Sequence, residues 1–250
     1  MTSTPSDWGK GTKDPTERKF LSGPRPRGSE LGFALDVFRE LMRGLRALHF
    51  VGPCVTVFGS ARFDASHAYY DLARRAGAEL AAAGFTVMTG GGPGVMEAAN
   101  RGAREAGGRS VGCNIVLPIE QQPNPYLDHF VECRYFFIRK LLLAKYSYAF
   151  IAAPGGYGTL DELTEVLVLI QTGKMKSFPV VLLGRDYWKG LVDFFRDTLI
   201  AQATISADDL DRIVITDAPK AAVDAIRDVA MTSFGLGYGP RARRRWWLGE

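Results

Sequence analysis

The segment Pro154-Gly155-Gly156-Tyr157-Gly158-Thr159-Leu160-Asp161-Glu162 follows the apolar run YAFIAA at 148–153. Its glycines expose backbone N–H groups where a helix should begin, which suits a phosphate-sized anion. No GK[ST] follows, so this is not the loop that holds nucleoside triphosphates. Nor is it a GxGxxG placed after a first strand. The loop has no lysine to neutralise several phosphates, so a monophosphate is expected. Thr159 and Glu162 match the T-x-x-E capping box, in which the glutamate bonds back to the cap amide. Yet the apolar stripe of the following helix is Leu160, Leu163, Leu167 and Ile170, and Glu162 points away from it. A carboxylate beside an anion cradle is unfavourable unless it has work to do. The local pattern leaves capping and catalysis both open.

Upstream, Arg139 lies on a helical face with Leu142, Leu143 and Tyr146, and Lys140 follows it. A cation near a helix N-terminus opposes the macrodipole, and an arginine on an apolar face needs an anionic partner. That partner is a carboxylate, a bound phosphate or, if the chain snorkels, solvent. Two more loops stand after apolar runs. Gly59-Ser60-Ala61-Arg62 follows CVTVF, and its hydroxyl and guanidinium suit either a phosphate contact or a plain surface turn. Thr89-Gly90-Gly91-Gly92-Pro93-Gly94 carries more glycine than one turn requires, so its backbone can approach a ligand or a packed neighbour closely. Glu97, in the next helical turn, suits the helix dipole.

These loops need elements to carry them. Apolar runs at 54–60, 85–91, 110–117, 130–134, 148–153, 179–184 and 213–217 read as strands. Helical patterns fill 66–83, 94–106, 136–147, 159–172, 187–202 and 218–231. Strands apolar on both faces and separated by helices predict an α/β fold, a Rossmann-like doubly wound parallel sheet of about seven strands covered on both sides. Ligands then bind at the carboxyl ends of the strands, near the switch in strand order.

The expected organisation is one domain over 30–238 with an N-terminal amphipathic helix at 31–48. A mobile basic tail at 1–29 and an Arg/Trp-rich tail at 239–250 flank it. The net charge of +4 resolves into +3 in each tail and −2 in the domain. The basicity therefore says little about the site, and nucleic acid is not expected as a partner, although Arg241–Arg245 with Trp246 and Trp247 could bind a backbone and stack bases. Three dispersed cysteines without a CxxC pair suggest no metal and no disulfide framework. With no secretory leader pattern and no uncharged apolar run near 20 residues, a cytoplasmic protein without a membrane partner is expected.

GGGPGVM (90–96), the Arg139-Lys140 pair, Ser147, Ala149-Phe150 and PGGYGTLDE (154–162) together resemble the LOG ("lonely guy") family, also described as lysine decarboxylases. The resemblance covers about residues 50–230 and is nearest to the longer bacterial subgroup. It implies hydrolysis of the N-glycosidic bond of nucleoside 5′-monophosphates, AMP-type or cytokinin, to free base and ribose 5-phosphate, with no cofactor. It places Arg139 and Glu162 at the catalytic positions. Ser60, Gly91, Gly92, Met96, Lys140, Gly155, Gly156, Gly158 and Thr159 fall in the phosphate and nucleotide pocket, and a homodimer or larger homo-oligomer has the site near its interface. Ile138, Leu143 and Tyr148 depart from the pattern of the short cytokinin-activating members, and EQQPNPY (120–126) reads as an insertion. A decarboxylase would need a Schiff-base lysine in a cofactor loop, which is not recognisable here. The rival reading is a nucleotide-binding or molybdenum-cofactor carrier-like protein without hydrolysis.

Overall fold

The computed structural model describes residues 15–24, 26–116 and 123–234, with side chains to residue 230. At its centre is strand β1 (Cys54–Phe58), all five residues of which are buried. Cys54 and Phe58 face one apolar layer, and Val55 and Val57 face another. Burial on both faces explains why these strands read as continuous apolar runs without alternation.

The chain then builds α3 (Ala68–Ala82), after two N-terminal helices, α1 (Thr16–Phe20) and α2 (Arg27–Leu48). There follow β2 (Thr86–Thr89), α4 (Val95–Glu105), β3 (Ser110–Ile115), β4 (His129–Cys133), α5 (Phe136–Lys145) and β5 (Ser147–Ala152). The remainder is α6 (Tyr157–Gln171), β6 (Val180–Leu183), α7 (Arg185–Phe194), α8 (Ala207–Asp211), β7 (Ile213–Thr216) and α9 (Pro219–Phe234). A π-helical stretch, Phe195–Ile200, continues α7, so the single helix expected over 187–202 changes pitch midway.

The seven strands are parallel and lie in the order β4-β3-β2-β1-β5-β6-β7. The chain steps outward from β1 to β4, then returns through α5 to lay β5 on the free side of β1. This is the doubly wound α/β sheet that the alternation predicted. Its switch point lies between β1 and β5, where the loops after both strands diverge. Thr56 and Ser147 share a hydrogen bond of 2.5 Å across that seam, and Ser147 donates to Leu143 O in α5. Residues of α3, α4 and α9 line one layer, and residues of α2, α5, α6 and α7 line the other.

The N-terminus differs from expectation. Thr16–Phe20 is helical, Phe20 stacks on Phe33 at 3.6 Å between ring centroids, and α2 begins at Arg27. Aromatic packing holds this part of the stretch expected to be mobile. Residues 1–14 and the Arg/Trp-rich segment 239–250 lie outside the described residues. Among the described residues, no helix is long and apolar enough to cross a membrane.

Candidate active site

The three strand-to-helix loops meet at the switch point. Ser60 N–H donates to Pro154 O at 3.0 Å, and Ser60 O accepts from Val95 N–H at 2.9 Å. The loop after β1 is thus pinned between the loops after β5 and β2. Gly94 has φ +69°, a backbone state that disfavours other residues, and a Cβ there would run into Ser60 O and the backbone of Ala61. Gly94→Ala should destabilise the protein by about 2 kcal/mol in urea unfolding.

The triple-glycine loop is held by a buried polar network. Asn100 accepts from Thr89 Oγ1 at 2.6 Å and from Asn124 Nδ2 at 3.0 Å, and donates to Ser110 at 2.8 Å. Gly91 N–H donates to Thr89 Oγ1, Gly91 O accepts from Asn124 N–H, and Gly92 O accepts from Asn124 Nδ2. Gly91 therefore contributes shape and not a free donor. Asn124, within the insertion-like segment, carries no local signal that marks it as a strut.

Above this loop lies the central pair. Arg139 Nη1 is 2.7 Å from Glu162 Oε1, with the two side chains only 12% and 10% exposed. Arg139 also donates through Nε to Cys113 O at 3.0 Å. A Cβ on Gly90 would lie 2.6 Å from Arg139 Nη2 and 2.7 Å from Met96 Sδ, so a bare backbone is what admits the guanidinium. Burial pushes the Glu162 carboxyl above the ordinary carboxylate range, and the Arg139 charge works against that rise. Of the partners open to Arg139, the structure selects the carboxylate.

The capping box does not form. Helix α6 starts at Tyr157 with Gly156 as its N-cap and no side-chain cap, which places Glu162 beyond the cap's reach. Gly156, Tyr157 and Gly158 are exposed, while Thr159 is buried against Gly155. Gly155 also packs tightly, since a Cβ there would lie 2.9 Å from Ser60 N, and its carbonyl accepts from Tyr187 Oη at 2.7 Å. The head of this fifteen-residue helix has no side-chain cap, so its first amides are free of one and point away from the helix a little over one turn before Glu162.

Lys140 is held beside this pair by the acidic residues that flank Glu162. It bonds Asp161 at 2.9 Å and lies 3.3 Å from Glu165, both on α6. Glu97 points elsewhere, accepting from Tyr70 Oη. Ser60 Oγ accepts from Arg62 N–H. Cys113 and Cys133, distant in sequence, sit on adjacent strands with sulfurs 4.0 Å apart, and both are free.

The family model described as "Possible lysine decarboxylase" matches residues 96–226. The chain is 36% identical over 178 residues to the cytokinin riboside 5′-monophosphate phosphoribohydrolase LOG of Oryza sativa subsp. japonica, covering 69% of this chain and 71% of that protein. It is 34% identical over 173 residues to the Arabidopsis thaliana phosphoribohydrolase LOG3, covering 67% and 77%. Among solved structures, the molybdenum cofactor binding protein of Rippkaea orientalis superposes with a TM-score of 0.52 at 25% identity, covering 71% of this chain and 96% of that one. The molybdenum cofactor carrier protein of Chlamydomonas reinhardtii shares the fold, with a TM-score of 0.55 at 24% identity over 72% and 99%. With the family model spanning more than half of the chain and the LOG enzymes aligned over two thirds of it, this protein belongs to the LOG family.

Proposed function

We propose that the protein is a nucleoside 5′-monophosphate phosphoribohydrolase that cleaves AMP-type or cytokinin riboside monophosphates to free base and ribose 5-phosphate. The observation that carries this reading is the buried Arg139–Glu162 pair, a little over one helical turn from an uncapped helix start of the kind that suits an anion. The phosphate docks on the amides at the head of α6, which holds the ribose in register. Cleavage passes through an oxocarbenium-like sugar. Glu162 faces it with the carboxylate oxygen that Arg139 does not occupy, hydrogen-bonds the ribose hydroxyls, stabilises the positive charge and orients water. Arg139 stays protonated, so it is not a general acid. It keeps Glu162 ionised and contacts the phosphate or the leaving base.

Three free cysteines suit a cytoplasmic setting. The reading includes a homo-oligomer. Leu31, Leu35 and Phe38 on α2 and Phe136, Phe137 and Leu141 on α5 are exposed apolar side chains on helices that pack together, and they offer the surface for it. Light scattering gives the subunit count.

The decisive assay incubates the protein with AMP, GMP, CMP, UMP and isopentenyl-AMP and follows free base by chromatography. Base is expected from at least one of them. Its absence from all five, with pterin bound to the purified protein, would support the carrier reading instead. Because the Glu162 carboxyl titrates high and must be ionised to act, kcat/KM should fall on the acid side at a pH above the ordinary carboxylate range. An acid limb at the usual value of about 4.3 would contradict this role.

A further inference from the structure

Helix α5 starts without help from its own residues. Tyr135 at its N-cap provides no side-chain cap, and the first turn has no acidic residue. The helix nevertheless carries Arg139 and Lys140 near its positive end, where both oppose the dipole. The missing negative charge comes from the two N-terminal helices. Glu40 of α2, 4% exposed, accepts from Arg134 N–H at 2.8 Å and Tyr135 N–H at 3.2 Å through Oε1. Its Oε2 accepts from Arg134 Nε at 2.9 Å. Glu17 of α1 accepts from Phe136 N–H at 3.1 Å. Both carboxylates lie upstream of the matched residues 96–226.

The link from this grip to the site is one helical turn long. Tyr135 donates its N–H to Glu40, and its carbonyl accepts the Arg139 N–H at 3.2 Å. Arg139 then divides its guanidinium between Cys113 O and Glu162. A carboxylate buried to this degree is costly unless its hydrogen bonds are all made, so an apolar side chain would hold α2 on the core at less expense. What an apolar side chain could not do is fix the peptide groups of 134 and 135.

We propose that Glu40, seconded by Glu17, is a positioning residue that sets the start of α5 so that the Arg139 guanidinium meets Glu162. This inference rests on the reading of Arg139 and Glu162 as the catalytic pair. The N-terminal helices are then part of the enzyme's working parts, acting through α5 and touching no substrate.

The test uses the full chain with Glu40→Gln, which keeps the shape and loses the charge. With a nucleotide that the wild type cleaves, kcat should fall at least about tenfold. KM and the Kd for ribose 5-phosphate should stay within about twofold, since Glu40 bonds the start of α5 and not the amides at the head of α6. The Glu162 carboxyl, faced by Arg139, Lys140 and Asp161, should also titrate at higher pH when followed by carbon NMR without substrate. Unchanged kcat and unchanged titration with a lowered melting temperature would overturn the proposal, leaving a purely structural brace. Should Glu40→Gln fail to fold, Glu17→Gln serves instead. It removes the more exposed contact and should move both readouts in the same directions by a smaller factor; no movement in either readout overturns the proposal. The NMR titration stands whether or not any nucleotide is cleaved. A wild type that releases no base defeats the hydrolase reading, while an unmoved titration defeats this one.

Discussion

Glu162→Gln should lower kcat by about 1,000-fold while leaving the protein folded and able to bind ribose 5-phosphate. The glutamine keeps the volume of the side chain and an oxygen for Arg139, so the 2.7 Å contact at the core of the site can persist. It removes the negative charge that faces the developing sugar cation and the acceptor that orients water. Loss of one preorganised electrostatic group costs about 10²–10³ in kcat, and loss of a proton-handling group costs a similar factor. Chromatographic rates give kcat, and calorimetric titration with ribose 5-phosphate gives the affinity. A residual rate within tenfold of wild type would remove Glu162 from the chemistry. Weakened ribose 5-phosphate binding with an unchanged rate would place it in the phosphate pocket.

Arg139→Ala carries the second large effect, and it falls on stability as well as rate. The substitution leaves a buried carboxylate without its counter-charge, which costs about 3–5 kcal/mol. That cost depends on pH with a definite sign. Glu162 already titrates high because it is buried, and without Arg139 it titrates higher still. A raised folded-state pKa means that the folded protein holds the proton more tightly than the unfolded chain. Below the unfolded-state value of about 4.3 the carboxyl is neutral in both states and the penalty is absent. The penalty grows as pH rises and is complete above the folded-state pKa. Urea unfolding of Arg139→Ala against wild type should therefore show a deficit that widens from pH 5 to pH 8. A deficit that is constant with pH would show that the guanidinium acts through packing alone. The double variant Arg139→Ala with Glu162→Gln should recover most of the stability and none of the rate, because the two single losses share one cause.

Different parts of the molecule were legible in the sequence to different degrees, for physical reasons. Strands such as Cys54–Phe58 and Val180–Leu183 are apolar on both faces because both faces are covered, and that signal is local. The same holds for the glycine-rich loops, whose composition alone marks a bare backbone. Glu162 was ambiguous because its role turns on where α6 begins. A threonine at the first position would have made a capping box, but the backbone of Gly156 opens the helix earlier and frees the carboxylate. Arg139 announced its need for an anion without naming it, since the partner lies in another helix. The least legible residues were Asn124 and Glu40. Asn124 reaches Gly91, Gly92 and Asn100 from a segment with no periodicity. Glu40 meets Arg134 across 94 residues of sequence, from a helix where it reads as one more surface charge.

The crossing of the chain back to the middle of the sheet also has a kinetic side. Strand β1 gains β2 within a few dozen residues, but its other neighbour arrives only when Ser147 comes to lie beside Cys54. During synthesis at about 5–20 residues per second, that edge stands unpaired for several seconds or more. It is an apolar edge, lined on both faces for burial, and such edges invite pairing with other chains. The seam that covers this central edge is the one on which the Ser60 and Pro154 loops meet, so the ligand cleft comes into being as the edge of β1 is closed.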